Sequence, residues 1–182
     1  MSDAHRNACA AAGAIPALVG ALTRHAGEAS VCEYASAALW SIAFGSSDAR
    51  KDACAAAGAI PALVGALERH AAAAGVSELA CAALQNISNG SDARKDACAA
   101  AGAIPALVGA LARHAAVAAV CAPASAALQN MTSTSAAHRS AAVYAGAVPR
   151  LADAWSAHPS AKSSALAALE KLGFRADGQP RA

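Results

Sequence analysis

The sequence predicts an all-α protein built as a solenoid of about four three-helix repeats. The segment SDARKDACAAAGAIPALVGAL occurs twice without change, at Ser47–Leu67 and Ser91–Leu111. A near copy opens the chain at Ser2, and a more divergent version starts at Ser135. The prolines of this motif, at positions 16, 61, 105 and 149, are 45, 44 and 44 residues apart. A period of this size is typical of stacked helical arrays.

Composition favours helices that pack closely. Alanine, the best helix former, makes up about a third of the 182 residues, whereas aromatic residues make up 3%. Any core must therefore be built from small side chains. The formal net charge of +2 is too small to indicate binding to nucleic acid or to a membrane surface, and we expect neither partner.

The first helix of each repeat begins after a Ser–Asp pair, as at Ser47 and Asp48. Serine can cap a helix N-terminus, and aspartate suits its positive dipole. The helix is predicted to stop at a glycine, which suits the left-handed position after a helix end. Two residues later, Ile or Val precedes a proline, which is tolerated in the first turn of a new helix. The sequence therefore predicts a sharp corner at Gly13, Gly58, Gly102 and Gly146.

The second helix carries one apolar face, which in repeat two is made by Ile60, Leu63, Val64 and Leu67. It ends at a histidine that recurs in every repeat. Neighbouring repeats lie about 10 Å apart, so this row of histidines cannot share one metal ion. We expect no metal and no cofactor, and interpret the row as helix termination and solvation, with a pH-sensitive edge as the alternative. The row consists of His25, His70, His114 and His158.

The third helix reads SELACAALQNIS in repeat two. Its helical spacing predicts two faces. The predicted packing face consists of Leu79, Ala80, Ala83, Leu84 and Ile87. The opposite face consists of Glu78, Ala82, Gln85, Asn86 and Asn89. Pro123 and Pro159 fall near the start of this helix in repeats three and four, where proline is tolerated.

The predicted repeats are 2–46, 47–90, 91–134 and 135–173, with a tail at 174–182, in a single domain 1–182. The apolar N-terminal segment recurs twice inside the chain, so we interpret it as structure and not as a secretion signal. We therefore expect a cytoplasmic or nuclear location. The six cysteines occupy repeat positions and are interpreted as small buried hydrophobic residues.

The corner A-G-A-I-P, the P-A-L-V start of the second helix and the A-A-L-Q-N-I/M end of the third resemble the armadillo-repeat family. The resemblance covers nearly the whole chain. It implies a right-handed superhelix whose third helices line a concave groove. In the family an asparagine near the end of that helix binds the backbone of an extended peptide. The matching positions here are Ser41, Asn86, Asn130 and Lys171.

The resemblance implies a scaffold that binds an extended peptide or a partner protein. The family's peptide-binding members carry a tryptophan four residues before the asparagine, and alanine occupies those positions here, so pockets between stacked tryptophans should be absent. The asparagines could instead be helix-end residues, and Trp40 and Phe44 could either anchor a partner or close the stack. The alternative function is a structural or assembly element, or a fragment of a longer array. The expected groove residues are Glu33, Trp40, Ser41, Glu78, Gln85, Asn86, Gln129, Asn130 and Lys171.

No catalytic constellation is recognisable, because each glycine motif lies between two helices and not after a strand. We therefore expect no enzymatic activity. The basic pairs Arg50-Lys51, Arg94-Lys95 and Arg139 with His138 recur at the start of the first helices; aspartates interleave with the first two pairs, and we interpret the pairs as a solvated, self-compensated face. Repeat one has no polar helix before it in this sequence. Because repeat proteins need polar end caps, we expect weak self-association through the N-terminal face.

Overall fold

The computed structural model describes residues 2–181, which form twelve α-helices. Within this range the only β-type pairing is an isolated bridge between Phe174 and Pro180. The helices form four successive triplets, which confirms the predicted all-α fold of three-helix repeats. Their bounds are α1 Asp3–Ala11, α2 Ala14–Arg24, α3 Ala29–Ala43, α4 Asp48–Ala56, α5 Ala59–Arg69, α6 Ala74–Ser88, α7 Asp92–Ala100, α8 Ala103–Arg113, α9 Ala118–Thr132, α10 Ala136–Tyr144, α11 Ala147–Ala157 and α12 Lys162–Leu172.

Each corner between a first and a second helix is a glycine in the left-handed region, as predicted. The φ angle is 82° at Gly13 and Gly58, 81° at Gly102 and 83° at Gly146. The serine before each first helix accepts a hydrogen bond from the backbone N–H three residues later, which is an N-cap. Local chemistry therefore fixes both ends of every first helix.

The four third helices pack side by side along the array, and the second helices form a parallel row behind them. Large aliphatic side chains are fully buried between the rows, including Leu63, Leu84, Leu107 and Leu128. Many of the remaining core positions are alanine, which lets the helices approach closely. In the described range no single helix is long and apolar enough to cross a membrane; α7 and α8 pass that test together but are bent by 71°.

The predicted basic face is self-compensated by aspartates, as expected, but it is buried and not solvated. The residues Arg50, Lys51, Arg94 and Lys95 are each at most 8% exposed. Arg94 lies under the end of α6 and reaches across to repeat two. Its Nε donates to the backbone oxygen of Ile87 at 2.8 Å and its Nη2 to that of Asn89 at 2.7 Å. The same guanidinium pairs with Asp48 at 2.6 Å and with Asp52.

These contacts join successive repeats at equivalent positions. Arg50 donates to the backbone oxygens of Ile42 and Phe44, each at 2.8 Å, and pairs with Asp3. Burial alone would lower the pKa of Arg94, but its hydrogen bonds to Asp52 and Asp48 outweigh burial and raise it. In repeat four His138 occupies the position equivalent to Arg94, and its Nδ1 lies 3.1 Å from the backbone oxygen of Met131. The guanidinium groups therefore satisfy the carbonyls that a helix C-terminus leaves without partners.

The histidine row is also an inter-repeat contact, which corrects the prediction of a solvated helix end. Nε2 of His70 donates to the backbone oxygen of Ala26 at 2.8 Å. His114 makes the same bond to Ala71 at 2.8 Å. His158 makes it to Ala115 at 2.6 Å. Each of these three rings thus ties the end of a second helix to the loop of the repeat before it, whereas His25 is exposed, as predicted.

The structure tests two predictions about the core, namely the burial of the cysteines and the packing face of the third helix. Five of the six cysteines are buried, as predicted, and Cys9 is half-buried. Burial raises the pKa of the Cys54 thiol to about 11 and that of Cys98 to about 12. Leu79 was assigned to the packing face, but it is half-buried and lies outside the core cluster, whereas Val76 is fully buried. The packing face of α6 is therefore rotated from the predicted one.

Candidate functional site

A shallow groove runs along the exposed side of the third helices. A depression of about 340 Å³ crosses α6 and α9 and reaches α3 and the start of α12. Three predicted site residues line it, namely Trp40, Glu78 and Gln85. The other lining residues are small or apolar, and they are Ala82, Ala119, Ala122, Pro123, Ala126, Ser160 and Ser164.

The asparagines of the two central repeats are held by the same inter-repeat hydrogen bond. Nδ2 of Asn86 donates to the backbone oxygen of Trp40 at 3.1 Å. Nδ2 of Asn130 donates to the equivalent oxygen, that of Gln85, at 3.0 Å. Both side chains are half-buried. The repeat geometry therefore fixes each amide in one orientation before any partner arrives.

Each fixed amide keeps hydrogen-bonding capacity. An asparagine amide has two N–H donors and an oxygen acceptor, and the inter-repeat bond uses one donor. Among residues 2–181 no group donates to Oδ1 of Asn86 or Asn130. One N–H and the oxygen of each amide thus remain for a backbone N–H and C=O of another chain.

The groove is acidic and aromatic at repeats one and two. Glu33 and Glu78 occupy equivalent positions on α3 and α6, and both are half-buried. In the described part of the chain neither carboxylate has an ion-pair partner. Trp40 is 38% exposed and packs edge-to-face on Phe44, with ring centroids 6.5 Å apart. This half of the groove therefore offers unpaired negative charge beside an exposed aromatic ring.

A glycine makes room for the first of these carboxylates. A Cβ built on Gly75, in the first turn of α6, would lie 2.6 Å from Oε2 of Glu33. A side chain at this position would displace the Glu33 carboxylate from where it lies. Glu33 consequently lies against the N-terminal end of α6.

Over repeat three the groove is lined by small, uncharged residues. Ala82 and Ala126 form its floor, at the positions where peptide-binding armadillo proteins carry tryptophan. Pro123 is the sixth residue of α9, deeper in the helix than the sequence suggested. Because proline has no N–H, the backbone oxygen of Ala119 loses its helical partner, and Ala119 and Pro123 both line the groove. This carbonyl is an additional acceptor that the sequence analysis missed.

Three of the remaining predicted site residues do not line the groove. Ser41 lines a cavity at the N-terminal end of the array. Lys171 is exposed and lines a cavity at the other end, together with Tyr144 and Glu170. Gln129 is half-buried on α9. The structure thus brings Trp40, Glu78 and Gln85 together and separates Ser41 and Lys171 from them.

Within the range that the structure describes, no cluster of three or more His, Cys, Asp or Glu side chains could hold a metal ion. No protein-family model and no curated protein matches the sequence. Solved structures do match. One is the crystal structure of an engineered protein, with a TM-score of 0.83 and 28% identity over 95% of this chain and 69% of that one. Another is a designed armadillo repeat protein in complex with the peptide (KR)4, with a TM-score of 0.81 and 25% identity over 94% of this chain and 70% of that one.

Proposed function

We propose that this armadillo-like repeat protein is a scaffold without enzymatic activity that binds an extended peptide along its third helices. The observation that carries the proposal is the pair Asn86 and Asn130, which successive repeats hold in the same orientation by the same hydrogen bond. Repeated amides at a regular spacing suit a peptide backbone, which repeats its own N–H and C=O groups. The designed armadillo neighbour was solved with a bound peptide, which supports this reading.

The asparagines can supply only a small part of the free energy of peptide binding. A net hydrogen bond contributes about 0.5–1.5 kcal/mol, and micromolar affinity needs about 8 kcal/mol. Two amides with one free donor and one free acceptor each cannot supply that. Side-chain contacts of the partner must therefore provide much of the affinity and the selectivity.

The proposed partner is a basic peptide. The unpaired carboxylates of Glu33 and Glu78 favour lysine or arginine side chains, and Trp40 offers a ring face on which a cation can stack. The (KR)4 peptide of the designed neighbour has this composition. We place the basic residues over repeats one and two, because the groove surface of repeat three carries no acidic side chain.

Fluorescence anisotropy with labelled (KR)4 tests the proposal. We expect binding that weakens as salt rises, and no binding of an alternating Glu–Asp peptide. Changing Glu33 and Glu78 to Gln should weaken binding by up to about fivefold per carboxylate, the range of an exposed ion pair. Glu68→Gln, an exposed residue on α5, is the matched control and should bind like the wild type. Equal binding by the Glu33/Glu78 double variant would refute the basic partner.

The asparagines need a separate experiment, because their replacement also removes an inter-repeat hydrogen bond. The double variant with Asn86 and Asn130 changed to Ala should be assayed at a temperature where circular dichroism shows it folded. We expect loss of binding to a peptide selected from a random library. Undiminished binding would show that the asparagines only join repeats. Failure to select any peptide would favour the structural or assembly element.

A cytoplasmic or nuclear location is part of the proposal. It is supported by the cysteines, all six of which are free thiols. Disulfides are rare in the reducing cytosol and nucleus, so unpaired cysteines fit those compartments.

A further inference from the structure

The junction between repeats three and four is held by a histidine, whereas the two earlier junctions are held by an arginine. Arg94 contacts the repeat before it in two directions. Its Nε donates to the backbone oxygen of Ile87 at 2.8 Å, and its guanidinium pairs with Asp52. Arg50 occupies the same position one repeat earlier and also bonds a helix-end carbonyl and an aspartate of the preceding repeat. The position therefore calls for a cation that donates hydrogen bonds on two sides, and arginine is always one.

His138 meets the two equivalent groups, each 44 residues further along the chain. Its Nδ1 lies 3.1 Å from the backbone oxygen of Met131, and its Nε2 lies 3.3 Å from Oδ1 of Asp96. A carbonyl oxygen and an ionised carboxylate only accept hydrogen bonds, whereas a neutral imidazole has one N–H and one lone pair. Both partners are therefore matched only when the buried ring carries two protons and a positive charge.

The charges on α7 leave Asp96 as the counter-ion of this ring. Asp92 is already paired with Lys95 at 2.9 Å, and it accepts a hydrogen bond from Thr134 at 2.9 Å. The hydrogen bonds from Lys95 and Thr134 lower the pKa of the Asp92 carboxyl, and the nearby His138 adds a smaller contribution. Asp96 is the only carboxylate that pairs with His138 among the described residues.

The other elements around α10 bring no second counter-ion to the ring in the described range. α9 carries no charged side chain, and Arg139 on α10 donates to the backbone oxygen of Thr132 at 3.3 Å. The charged residues of the remaining helices packed against α10 are Arg113, Arg150, Asp153, Lys162, Glu170 and Lys171. Arg150 pairs with Asp153 and Glu170 with Arg181, so both carboxylates of this set have other partners.

We infer that proton binding at His138 strengthens the junction between repeats three and four, so that the fourth repeat is held more firmly below neutral pH. Histidine changes charge between about pH 5 and 8, whereas Arg50 and Arg94 keep theirs throughout. The second proton replaces a lone pair that faces Asp96 by an N–H that faces it. The stabilisation is therefore complete at the low end of this range and is lost as the pH rises through it.

This junction lies beside one end of the groove, because the fourth repeat supplies Ser160 and Ser164 to the groove lining. The inference does not depend on whether the groove binds peptide.

Thermal unfolding monitored by circular dichroism between about pH 5 and 8 tests the inference. As the pH rises, the midpoint of the wild type should fall by roughly 2–4 °C relative to that of His138→Arg, which has the arginine of the other two junctions. His25→Arg makes the same exchange at an exposed ring and should keep the wild-type profile. Parallel profiles for the wild type and His138→Arg would overturn the inference.

Hydrogen exchange on the unaltered protein locates the change. After correction for the pH dependence of intrinsic exchange, the amides of α10–α12 should lose protection as the pH rises, relative to those of α4–α6. His138→Gln is neutral at every pH and should show the lower protection throughout. An even loss over all four repeats would overturn the inference. So would a pH-dependent loss that persists in His138→Gln, because it would belong to another group such as His158.

Discussion

The same substitution at two glycines of one repeat should change stability in opposite directions. Gly58 is the corner between α4 and α5, with φ at 82°, and Gly65 is an exposed residue inside α5. A Cβ at either position would meet no other atom within 4 Å. Steric contact is therefore excluded as a cause at both sites, and only the backbone conformation distinguishes them.

At Gly58 an alanine must adopt a left-handed conformation, which costs an L-residue roughly 1–2 kcal/mol. At Gly65 an alanine sits in ordinary helical geometry and should stabilise by roughly 0.5–1 kcal/mol. Both substitutions reduce the conformational entropy of the unfolded chain by the same amount, because alanine replaces glycine in each case. The two variants should therefore differ by about 1.5–3 kcal/mol in free energy of unfolding.

Thermal unfolding monitored by circular dichroism measures the difference. For a chain of this size the midpoints should lie roughly 3–12 °C apart, with Gly65→Ala above the wild type and Gly58→Ala below it. Gly109→Ala repeats the helical exchange in α8, where a Cβ also meets nothing, and should raise the midpoint likewise. Shifts of the same sign for Gly58→Ala and Gly65→Ala would refute the assignment of the corner as a strained position.

Three further measurements follow from contacts between repeats. Arg94→Ala removes a buried guanidinium and leaves two helix-end carbonyls without partners, so it should destabilise by about 2–4 kcal/mol in urea unfolding; a cost below 1 kcal/mol would contradict this. Hydrogen bonding to Lys95 lowers the pKa of the Asp92 carboxyl, so this stability is present above the ordinary pKa and is lost as pH falls through the lowered one. Asp92→Asn should therefore destabilise at pH 6, and the difference should shrink as the pH falls below the ordinary aspartate pKa and through the lowered one; a constant difference would exclude the ion pair. In the native protein iodoacetamide should modify Cys9 well before Cys54, whose buried thiol has its pKa raised to about 11; equal rates would show that repeat two opens readily.

The corners could be predicted from sequence because their causes are local. Gly58 must be glycine for its left-handed φ, Pro61 suits a first helical turn, and Ser47 caps the helix that follows it. These features depend only on residues within a few positions of one another. The period then repeats the result along the chain.

The buried arginines could not be predicted in the same way. Arg94 pairs with Asp48, 46 residues earlier, and its surroundings exist only after two repeats have stacked. A helix of nine residues such as α7 carries too few apolar positions to indicate which side faces the neighbour. The recurrence of Asp-Ala-Arg-Lys-Asp at the repeat period was the available signal. Leu79 was misassigned for a related reason, since helical spacing alone does not fix the rotation of α6 against its neighbours.

The inter-repeat hydrogen bonds of the arginines and asparagines run from a side chain of one repeat to groups of the repeat before it, and this direction determines what happens when a whole repeat is deleted. Recombination between the two identical segments would delete residues 47–90 as a block. Arg94 would then meet Asp3 as Arg50 does, and Asn130 would meet the backbone oxygen of Trp40 as Asn86 does. The shortened product would inherit a complete set of bonds and lose one asparagine from its groove. Unequal exchange could thus change the number of asparagines along the third helices without any compensating point mutation.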